Sequence, residues 1–515
     1  MNGAESLVET LINNGVDVCF TNPGTSEMHM VAAIGKTNGM RSILGLFEGV
    51  CTGAADGYGR MAGKPACTLL HLGPGLSNGS ANLHNAKKAN SPVLNLIGDH
   101  ATYHKKYDAP LTSDIIGLAQ PVSDWVRTTE SAEKLPADAV DAVVAASTGQ
   151  GQIATLIVPA DCAWNESVAP LPRRSAPAAG TVSEAAVGQA AELLTNGVVT
   201  MLLVGNLALT ERSLELVNQI SQKTGARVYS DTFFTRMPRG EGRCQIDRLA
   251  YFAEQGVEQI KDVNQLIMVG TKAPVAFFAY PEKPSEYYRP GSVLHTLADV
   301  SQDAEDALSR LALAVGAEGL APIKTPLKKS EKGADELSSR TVAMSFAHYL
   351  PTQAIVVDEG ATAGGGCYPS SAQSEPHDWL TLTGGSIGFG LPTAIGAAVA
   401  CPDRKVVCIH GDGGAMYTLQ SLWTMARESL DVCVIIFANR KYQILQIELA
   451  RVGAQSMTKK TLDMLDIGNP DLNFVQLSEG MGVKATRVET IEAFNATYAE
   501  AMVTHGPHLI EVVLP

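Results

Sequence analysis

Short apolar runs that alternate with helical patterns constrain the fold of this chain most strongly. The runs are rich in Val, Ile and Leu and end in Gly, Pro, Asn or Asp, as buried parallel strands do. The segments between them, such as residues 4–15, have the periodicity of amphipathic helices. This alternation predicts an α/β fold with three doubly wound parallel-sheet domains. Because such sheets bind ligands beyond the carboxyl ends of their strands, we expect the functional site there.

Two stretches are predicted to be linkers between these domains. Residues 167–183 and 319–339 are rich in Pro, with Ala and Ser in the first and Lys in the second, and lack apolar periodicity. They predict an N-terminal domain over 1–166, a central domain over 184–318 and a C-terminal domain over 340–515. Each of these lengths is typical of a single domain.

Composition excludes several functional classes. The formal net charge of −14 over 515 residues argues against nucleic-acid binding, which needs a basic surface. No run of about 18 uncharged apolar residues occurs and no leader pattern opens the chain, so we expect neither a membrane span nor secretion. The nine cysteines are scattered and contain no CxxC pair, which predicts reduced thiols in a cytoplasmic protein.

The clearest candidate site follows the apolar run KVVCIH in the C-terminal part. There Gly411, Asp412, Gly413 and Gly414 form a turn, and Asn439 ends the next apolar run, with 25 residues between Gly413 and Asn439. Glycines let a backbone approach a diphosphate, and a following helix presents free N–H groups to it. A carboxylate and an amide oxygen at neighbouring strand ends suit Mg²⁺.

Two other interpretations of this pattern remain open from the residues alone. A dinucleotide-binding fingerprint starting at Gly411 would need glycine at position 416, where Met416 stands. It would also leave Asn439 without a role. A purely structural turn explains the glycines but not the acid–amide pair.

The GDG motif followed after about 25 residues by Asn resembles the signature of thiamine diphosphate enzymes. The resemblance extends along the whole chain, in the order pyrimidine-binding, central and diphosphate-binding domain, and is closest to the acetolactate synthase and benzoylformate decarboxylase group. It implies that Asp412, Asn439 and the main-chain carbonyl of Lys441 bind Mg²⁺, with the glycines of the turn at the diphosphate. Arg440 stands where the family often has a second Asn, with little effect expected because the first Asn is the ligand.

Thiamine diphosphate needs a desolvated carboxyl group that hydrogen-bonds N1′ of its aminopyrimidine and so favours the imino tautomer. Glu48 follows the apolar run ILGLF and precedes a segment rich in small residues. Taken alone, it is a solvated charge at a helix start. The resemblance implies that Glu48 is the activating acid, that the Gly385 carbonyl accepts from the 4′-amino group, and that Ile387 separates the two rings. Locally, the last two also fit a Gly-rich turn with a core Ile.

The family builds its site from two subunits, so the resemblance also implies an active homodimer, with a homotetramer common. His71 matches an active-site histidine of the decarboxylase and is a candidate general acid or base, although a lone His is usually structural. Thr25, in NPGTSE, keeps the hydroxyl of the decarboxylase's Ser for a substrate carboxylate. Leu111 also matches the decarboxylase better than the synthase.

Other positions favour the synthase-type reaction. Ala279 stands where the decarboxylase has a second histidine, so protonation to an aldehyde is less assured and carboligation is favoured. The segment 270–281 lacks the stretch that helps hold FAD in the synthases, so FAD is not expected. Its aromatic residues Phe277, Phe278 and Tyr280 either line the cavity or pack together. Residues 442–456 are either a lid or a plain amphipathic helix.

These inferences predict a thiamine diphosphate- and Mg²⁺-dependent enzyme acting on a small 2-oxo acid and a carbonyl acceptor. The leading expectation is acetolactate synthase-like carboligation after decarboxylation. The alternatives are a decarboxylase that releases an aldehyde and a lyase of hydroxyketones or 2-hydroxyacyl compounds. An NAD-dependent oxidoreductase and a non-catalytic cofactor-binding protein are disfavoured.

Overall fold

The chain folds around three sheets in a computed structural model that describes residues 1–453 and 457–514. The N-terminal elements are α1 (Gly3–Asn13), β1 (Val18–Asn22), α2 (Met28–Lys36), β2 (Arg41–Leu44), α3 (Glu48–Ala62), β3 (Ala66–Leu70), α4 (Leu72–Lys88), β4 (Val93–Asp99), α5 (Ile115–Ala119), β5 (Trp125–Thr128), α6 (Leu135–Ala146), β6 (Ile153–Pro159) and α7 (Ala160–Trp164). The six strands are all parallel, in the order β2-β1-β3-β4-β6-β5.

The central part supplies a second, smaller sheet. Its elements are α8 (Glu184–Thr195), β7 (Thr200–Val204), α9 (Glu211–Thr224), β8 (Arg227–Ser230), β9 (Met237–Arg239), β10 (Asp247–Arg248), α10 (Ala253–Gln259), β11 (Gln265–Val269), β12 (Val293–Ala298) and α11 (Ala304–Ala314). Five of these strands form a parallel sheet in the order β10-β8-β7-β11-β12.

The third sheet belongs to the C-terminal part. Its elements are α12 (Ser339–Tyr349), β13 (Ala354–Glu359), α13 (Ala361–Gly364), α14 (Cys367–Ser370), β14 (His377–Thr381), α15 (Gly390–Ala400), β15 (Val406–Gly411), α16 (Asp412–Ala415), α17 (Ser421–Arg427), β16 (Val432–Ala438), α18 (Gln443–Arg451), α19 (Lys459–Asp463), α20 (Phe474–Glu479), β17 (Lys484–Val488), α21 (Ile491–Val503) and β18 (His508–Val513). The strand order is β17-β18-β16-β15-β13-β14-β9.

The expected fold class, three α/β domains with parallel sheets, is confirmed. One strand departs from the pattern, because β9 leaves the central part and pairs antiparallel with β14 at the edge of the C-terminal sheet. Sequence inspection missed this strand, which is only three residues long. The domain bounds stay a prediction.

The chain after the Gly411–Gly414 turn differs from the expected continuous helix. Only α16, four residues long, and α17 are helical, and residues 416–420 form turns between them. The Thr418 hydroxyl donates to the Gly388 carbonyl at 2.9 Å and so ties this stretch to another loop. The turn therefore lacks the long following helix whose N-terminus would favour a diphosphate.

Two expectations about the whole chain concern thiols and membranes. All nine cysteines are free thiols, and eight of them are buried. No helix within the described ranges is long and apolar enough to cross a bilayer.

Helices α3 and α15 cross in direct backbone contact and join the N-terminal to the C-terminal part. A methyl group placed on Gly396 would lie 1.9 Å from the Ala54 carbonyl oxygen, and one on Gly57 would lie 2.1 Å from the Thr393 carbonyl oxygen. Both glycines are thus required by close packing. Since α3 begins at Glu48 and α15 follows the loop that carries Gly385, this crossing positions two predicted site segments.

A buried ion pair reinforces the crossing. Arg60 of α3 is bound by both carboxylate oxygens of Asp56, each at 2.8 Å, and both side chains are fully buried. The Arg60 guanidinium also donates to the carbonyls of Thr235 at 3.3 Å and Thr381 at 2.8 Å. One buried cation therefore links the N-terminal, central and C-terminal parts, and its hydrogen bonds offset part of the cost of burying it.

The helix crossing predicts a stability difference between two kinds of glycine. We expect Gly396→Ala to destabilise the protein by about 1–3 kcal/mol, because its Cβ would overlap the backbone of α3. Gly188→Ala is the matched control, since a Cβ on that exposed glycine of α8 meets no atom within 4 Å. There we expect no loss, or a gain of up to about 1 kcal/mol from helix propensity. Thermal denaturation measures both, and equal stability of the two variants would contradict the packing analysis.

Candidate active site

The Gly411–Gly414 turn and Asn439 meet at the carboxyl ends of the neighbouring strands β15 and β16. The Asp412 carboxylate accepts hydrogen bonds from the backbone N–H groups of Gly413 at 2.8 Å and Arg440 at 2.6 Å. Asp412 is only 4% exposed, and burial raises the pKa of its carboxyl although these hydrogen bonds oppose the shift. The bond to Arg440 brings the two halves of the predicted motif together.

Asn439 is held in place by its own neighbours. Its amide nitrogen donates to Oε1 of Gln443 at 3.1 Å, and its Oδ1 accepts from the backbone N–H of Lys441 at 3.2 Å. The same Gln443 oxygen accepts from the Thr362 hydroxyl at 3.1 Å. The side-chain oxygen of Asn439 therefore lies next to the main-chain N–H of Lys441, and its role as a metal ligand stays a prediction.

Two glycines of the turn are required by close contacts. A Cβ on Gly413 would lie 2.4 Å from the Tyr442 ring, and one on Gly414 would lie 2.8 Å from Oε1 of Glu359. A Cβ on Gly411 would meet nothing closer than 3.9 Å, so this glycine leaves open space at the strand end. Gly413 and Gly414 are therefore explained by packing against protein, and open space lies only beside Gly411.

The oxygen donors at this edge fit Mg²⁺. No group of three His, Cys, Asp or Glu side chains that could hold a metal occurs in residues 1–453 and 457–514. A site here must therefore combine the Asp412 carboxylate with the Asn439 amide oxygen and a main-chain carbonyl. Such hard oxygen ligands suit Mg²⁺, which keeps its remaining positions for water and phosphate oxygens.

The loop before α15 carries Gly385 and Ile387 and is bound by α4. Gly385 has a left-handed φ of +74°, and a Cβ there would lie 2.4 Å from the Phe277 ring. The Asn85 side chain donates to the Ser386 carbonyl at 2.8 Å and accepts from the Ser386 N–H at 3.1 Å. Ile387 is 37% exposed, which is high for a branched apolar side chain. A wedge against a bound ring would use this surface.

Glu48 is the first residue of α3 and is partly exposed. Its Oε2 accepts a hydrogen bond from the Asn78 amide at 2.9 Å. The Asn82 amide donates both to the Gly49 carbonyl at 2.8 Å and to the Gly388 carbonyl at 3.3 Å. The start of α3 and the loop before α15 are thus fixed by one side chain of α4.

His71 lies in a hydrogen-bonded cluster that contains a residue missed by sequence inspection. Its Nδ1 is 2.8 Å from Oε2 of Glu27, a carboxylate with 0% exposure. The Ser26 hydroxyl donates to Oε1 of Glu27 at 2.5 Å and lies 3.1 Å from His71 Nδ1. A Cβ on Gly24 would lie 2.3 Å from the His71 ring, so the imidazole rests on bare backbone. Glu27 orients the ring and leaves Nε2 outside this cluster.

Thr25 is not part of that cluster. It begins the short 3₁₀ helix Thr25–Glu27 and is exposed, whereas the neighbouring Ser26 supplies the hydroxyl that contacts His71. Nothing in the NPGTSE pattern distinguishes the two hydroxyls, and only the turn geometry does. The role of Thr25 toward a substrate carboxylate stays a prediction.

Three strand ends of the site continue into a strained residue. Leu72, after His71, has a φ of +46°, Ala361 has +47°, and Arg440, after Asn439, has +60°. The left-handed region is costly for residues other than glycine and is frequent at functional sites. Leu72 and Arg440 directly follow the predicted site residues His71 and Asn439.

The aromatic segment of the central part contacts the loop before α15. Phe277 packs edge-on against Phe278 with ring centroids 4.9 Å apart, and Phe278 lies 6.1 Å from Tyr280. Phe277 also covers Gly385, while Ala279 is exposed. The two interpretations of this cluster are therefore compatible, since the rings pack together and one of them borders the site.

The predicted lid segment 442–456 contains α18, and its last residues 454–456 lie outside the described part. Arg451 pairs with Glu254 of the central part at 2.5 Å and with Glu448 at 3.0 Å. Helix α18 is thus attached to the central part. Whether it closes over a cofactor stays a prediction.

Models of one protein family match both ends of the chain. The N-terminal TPP binding domain of thiamine pyrophosphate enzymes matches residues 1–120, and the C-terminal TPP binding domain of these enzymes matches residues 364–512. The first match contains Glu48 and His71, and the second contains Asp412 and Asn439. Both halves of the candidate site thus lie in cofactor-binding domains.

Known proteins are similar over the full length. The chain is 50% identical over 516 residues to IlvX of Mycobacterium tuberculosis, assigned provisionally as an acetolactate synthase large subunit, with 100% of this chain and 99% of that protein covered. It is 28% identical to benzoylformate decarboxylase of Pseudomonas aeruginosa, covering 98% and 97%. The thiamine diphosphate-dependent 4-hydroxybenzoylformate decarboxylase of Rhodococcus jostii RHA1 shares the fold, with a TM-score of 0.87, 24% identity and coverage of 100% and 99%.

Proposed function

Because the chain belongs to the thiamine pyrophosphate enzyme family, we propose that it is a Mg²⁺-dependent enzyme that decarboxylates a small 2-oxo acid and joins the remaining fragment to a carbonyl acceptor. Its relatives include an acetolactate synthase-type protein and a benzoylformate decarboxylase. The free cysteines fit a reducing cytoplasmic setting.

One observation carries this proposal. Asp412 and Asn439 lie at neighbouring strand ends, joined by the 2.6 Å hydrogen bond from the Arg440 N–H to Asp412. This edge of the sheet offers a carboxylate and an amide oxygen beside a glycine turn. A dinucleotide site or a structural turn would use the glycines but has no need of the acid–amide pair. Glu48 then supplies the acid that distinguishes thiamine diphosphate chemistry from simple diphosphate binding.

Each residue has a defined task in this proposal. Bound thiamine diphosphate supplies a nucleophilic carbon and an electron sink for decarboxylation. Glu48 would share a proton with N1′ of the aminopyrimidine, and the Gly385 carbonyl would accept a hydrogen bond from its 4′-amino group. Ile387 would keep the two rings apart. The Asp412 and Asn439 oxygens and the Lys441 carbonyl would hold Mg²⁺ at the diphosphate.

His71 and Glu27 govern the proton transfers after decarboxylation. Glu27 accepts from Nδ1 of His71, so Nε2 is the nitrogen that takes up or delivers a proton. Ala279 offers no second donor on the central side, which favours capture of the fragment by a carbonyl acceptor. The second candidate, a decarboxylase that releases an aldehyde, is supported by the oriented His71. A lyase of hydroxyketones or 2-hydroxyacyl compounds would consume neither pyruvate nor benzoylformate.

We further propose a homodimer as the minimal active unit, with homotetramers built from it. Glu48 of one copy would act on a cofactor held by the C-terminal part of the other. Exposed apolar side chains flank both halves of the site: Leu46 lies two residues before Glu48, and Ile387, Met416 and Tyr417 flank the C-terminal half. A second copy would remove this apolar surface from water.

Glu48→Gln tests the proposed function. We expect turnover of pyruvate or benzoylformate to fall by about 10²- to 10⁴-fold, because the amide keeps the shape but cannot share a proton with N1′. Affinity for thiamine diphosphate should survive. The control is Glu133→Gln, an exposed glutamate of the same domain. Product identification by mass separates acetohydroxy acid from aldehyde in the wild type. A Glu48→Gln enzyme with wild-type turnover would refute the assignment.

His71→Ala and Glu27→Gln test the proton-transfer pair. Both should lower aldehyde release by at least about tenfold and change carboligation less, because only the aldehyde pathway protonates the fragment directly. His29→Ala, at an exposed histidine whose ring lies tilted against Trp164, is the control. The ratio of aldehyde to carboligation product is the measurement. An unchanged ratio in both variants would return His71 to a structural role.

Mixing two inactive variants tests the shared site. Glu48→Gln and Asp412→Ala disable opposite halves, so a hybrid dimer would contain one intact and one doubly altered site. Refolded as an equal mixture, they should recover up to about a quarter of wild-type activity if sites span two copies. The control mixture pairs Glu48→Gln with Asp403→Ala, an exposed aspartate at the other end of β15. Activity no higher than that of Glu48→Gln and Asp412→Ala refolded separately would mean that each site lies within one chain.

A further inference from the structure

Two buried ionisable side chains lie beneath the candidate site. Glu359 is the last residue of β13, and His410 is its registered partner on the neighbouring strand β15. Glu359 is 6% exposed and His410 is fully buried. His410 Nε2 lies 3.1 Å from Oε2 of Glu359, at the distance of an ion pair. Neither residue has a task in the proposed chemistry.

Glu359 binds the loop that carries Ile387. Its Oε1 accepts from the backbone N–H of Gly388 at 2.7 Å, and its Oε2 accepts from the backbone N–H of Gly390 at 2.6 Å. These hydrogen bonds from two N–H groups to a charged acceptor are of the strong class. Because Gly388 directly follows Ile387, the carboxylate fixes the backbone on which the ring-separating side chain stands.

The same pair also contacts the Gly411–Gly414 turn. His410 Nδ1 lies 2.9 Å from the Gly411 carbonyl oxygen, which can only accept a hydrogen bond. A Cβ on Gly414 would lie 2.8 Å from Oε1 of Glu359 and 3.0 Å from Cε1 of His410. The turn therefore lies directly on the two side chains, without an intervening residue.

His410 Nδ1 contacts the Gly411 carbonyl, whereas Nε2 lies close to Glu359 without a hydrogen bond of good geometry. A buried ion pair that served stability alone would not need to contact two separate ligand-binding loops. Replacing such pairs by apolar residues is often neutral for stability, so stability gives no reason to keep this one. The shared contacts instead couple the positions of the two loops.

We propose that Glu359 and His410 are positioning residues that hold the loop before α15 and the Gly411–Gly414 turn in one relative arrangement. This inference rests on the proposed function, since it concerns how a bent thiamine diphosphate is accommodated. In this proposal, the metal and diphosphate contacts are enough to retain the cofactor. The pair sets the geometry between its two rings, on which loss of the C2 proton depends.

Glu359→Gln tests this role, because its amide has similar size but points a donor at one of two backbone N–H groups. The measurements are thiamine diphosphate affinity in the presence of Mg²⁺, and the exchange of the cofactor's C2 proton for deuterium, followed by NMR after acid quenching. Neither uses a substrate. We expect exchange to slow by about tenfold to a hundredfold while affinity changes by a smaller factor.

Glu511→Gln is the matched control. Glu511 is also a buried glutamate of the C-terminal sheet, paired with Arg487 at 2.9 Å and 3.1 Å, but it lies in the middle of β18. It should leave exchange unchanged even where it lowers the melting temperature. If Glu359→Gln does not fold, His410→Gln serves for the same comparison.

The outcomes separate the two proposals. Wild-type exchange rates in Glu359→Gln or His410→Gln would overturn the positioning role and leave the proposed function intact. Equally slow exchange in Glu511→Gln would assign the effect to a loss of stability. That result would also overturn the positioning role. A wild-type protein that takes up no thiamine diphosphate would refute both.

Discussion

The contact between α3 and α15 is the constraint on which the arrangement of the two half-sites carried by each chain depends. Gly57 and Gly396 let the two helices approach until backbone carbonyls meet Cα atoms, and the buried Arg60–Asp56 pair locks the crossing. Helices this close cannot slide without a clash, because protein interiors are packed to crystal density. The segments that precede them, one with Glu48 and the other with Gly385, are therefore fixed with respect to each other.

Within this frame, buried carboxylates do most of the local positioning. Asp412, Glu27 and Glu359 each accept backbone N–H groups of a nearby turn. A buried carboxylate needs such donors, and in accepting them it fixes the turn that supplies them. Asp412 joins two strand ends, Glu27 orients His71, and Glu359 links two loops. The need of a buried carboxylate for hydrogen-bond donors thus produces three different arrangements.

The sequence predicted what depends on local pattern. Buried strands with apolar runs were recognised, and the resemblance carried by GDG and Asn439 led to the family. Short edge elements such as β9 were missed, because few apolar residues mark them. The break after Ala415 could not be foreseen, since it depends on a hydrogen bond from Thr418 to a distant loop.

Glu27, Glu359 and His410 show the same limit within the site. The sequence around each of these residues gives no sign that its side chain is buried. A glutamate in a turn or at a strand end, for example, is usually solvated. Each becomes functional only through partners far away in the chain. A residue's type and spacing therefore predict which chemistry is available, whereas tertiary contacts decide which charged groups are desolvated and oriented.

A crystal structure of the protein grown with thiamine diphosphate and Mg²⁺ tests the central claim most directly. We predict the metal and diphosphate at Asp412 and Asn439, and the aminopyrimidine N1′ within hydrogen-bonding distance of a Glu48 carboxylate. A cofactor bound elsewhere, such as at the strand ends of the central sheet, or no bound cofactor at all, would contradict it.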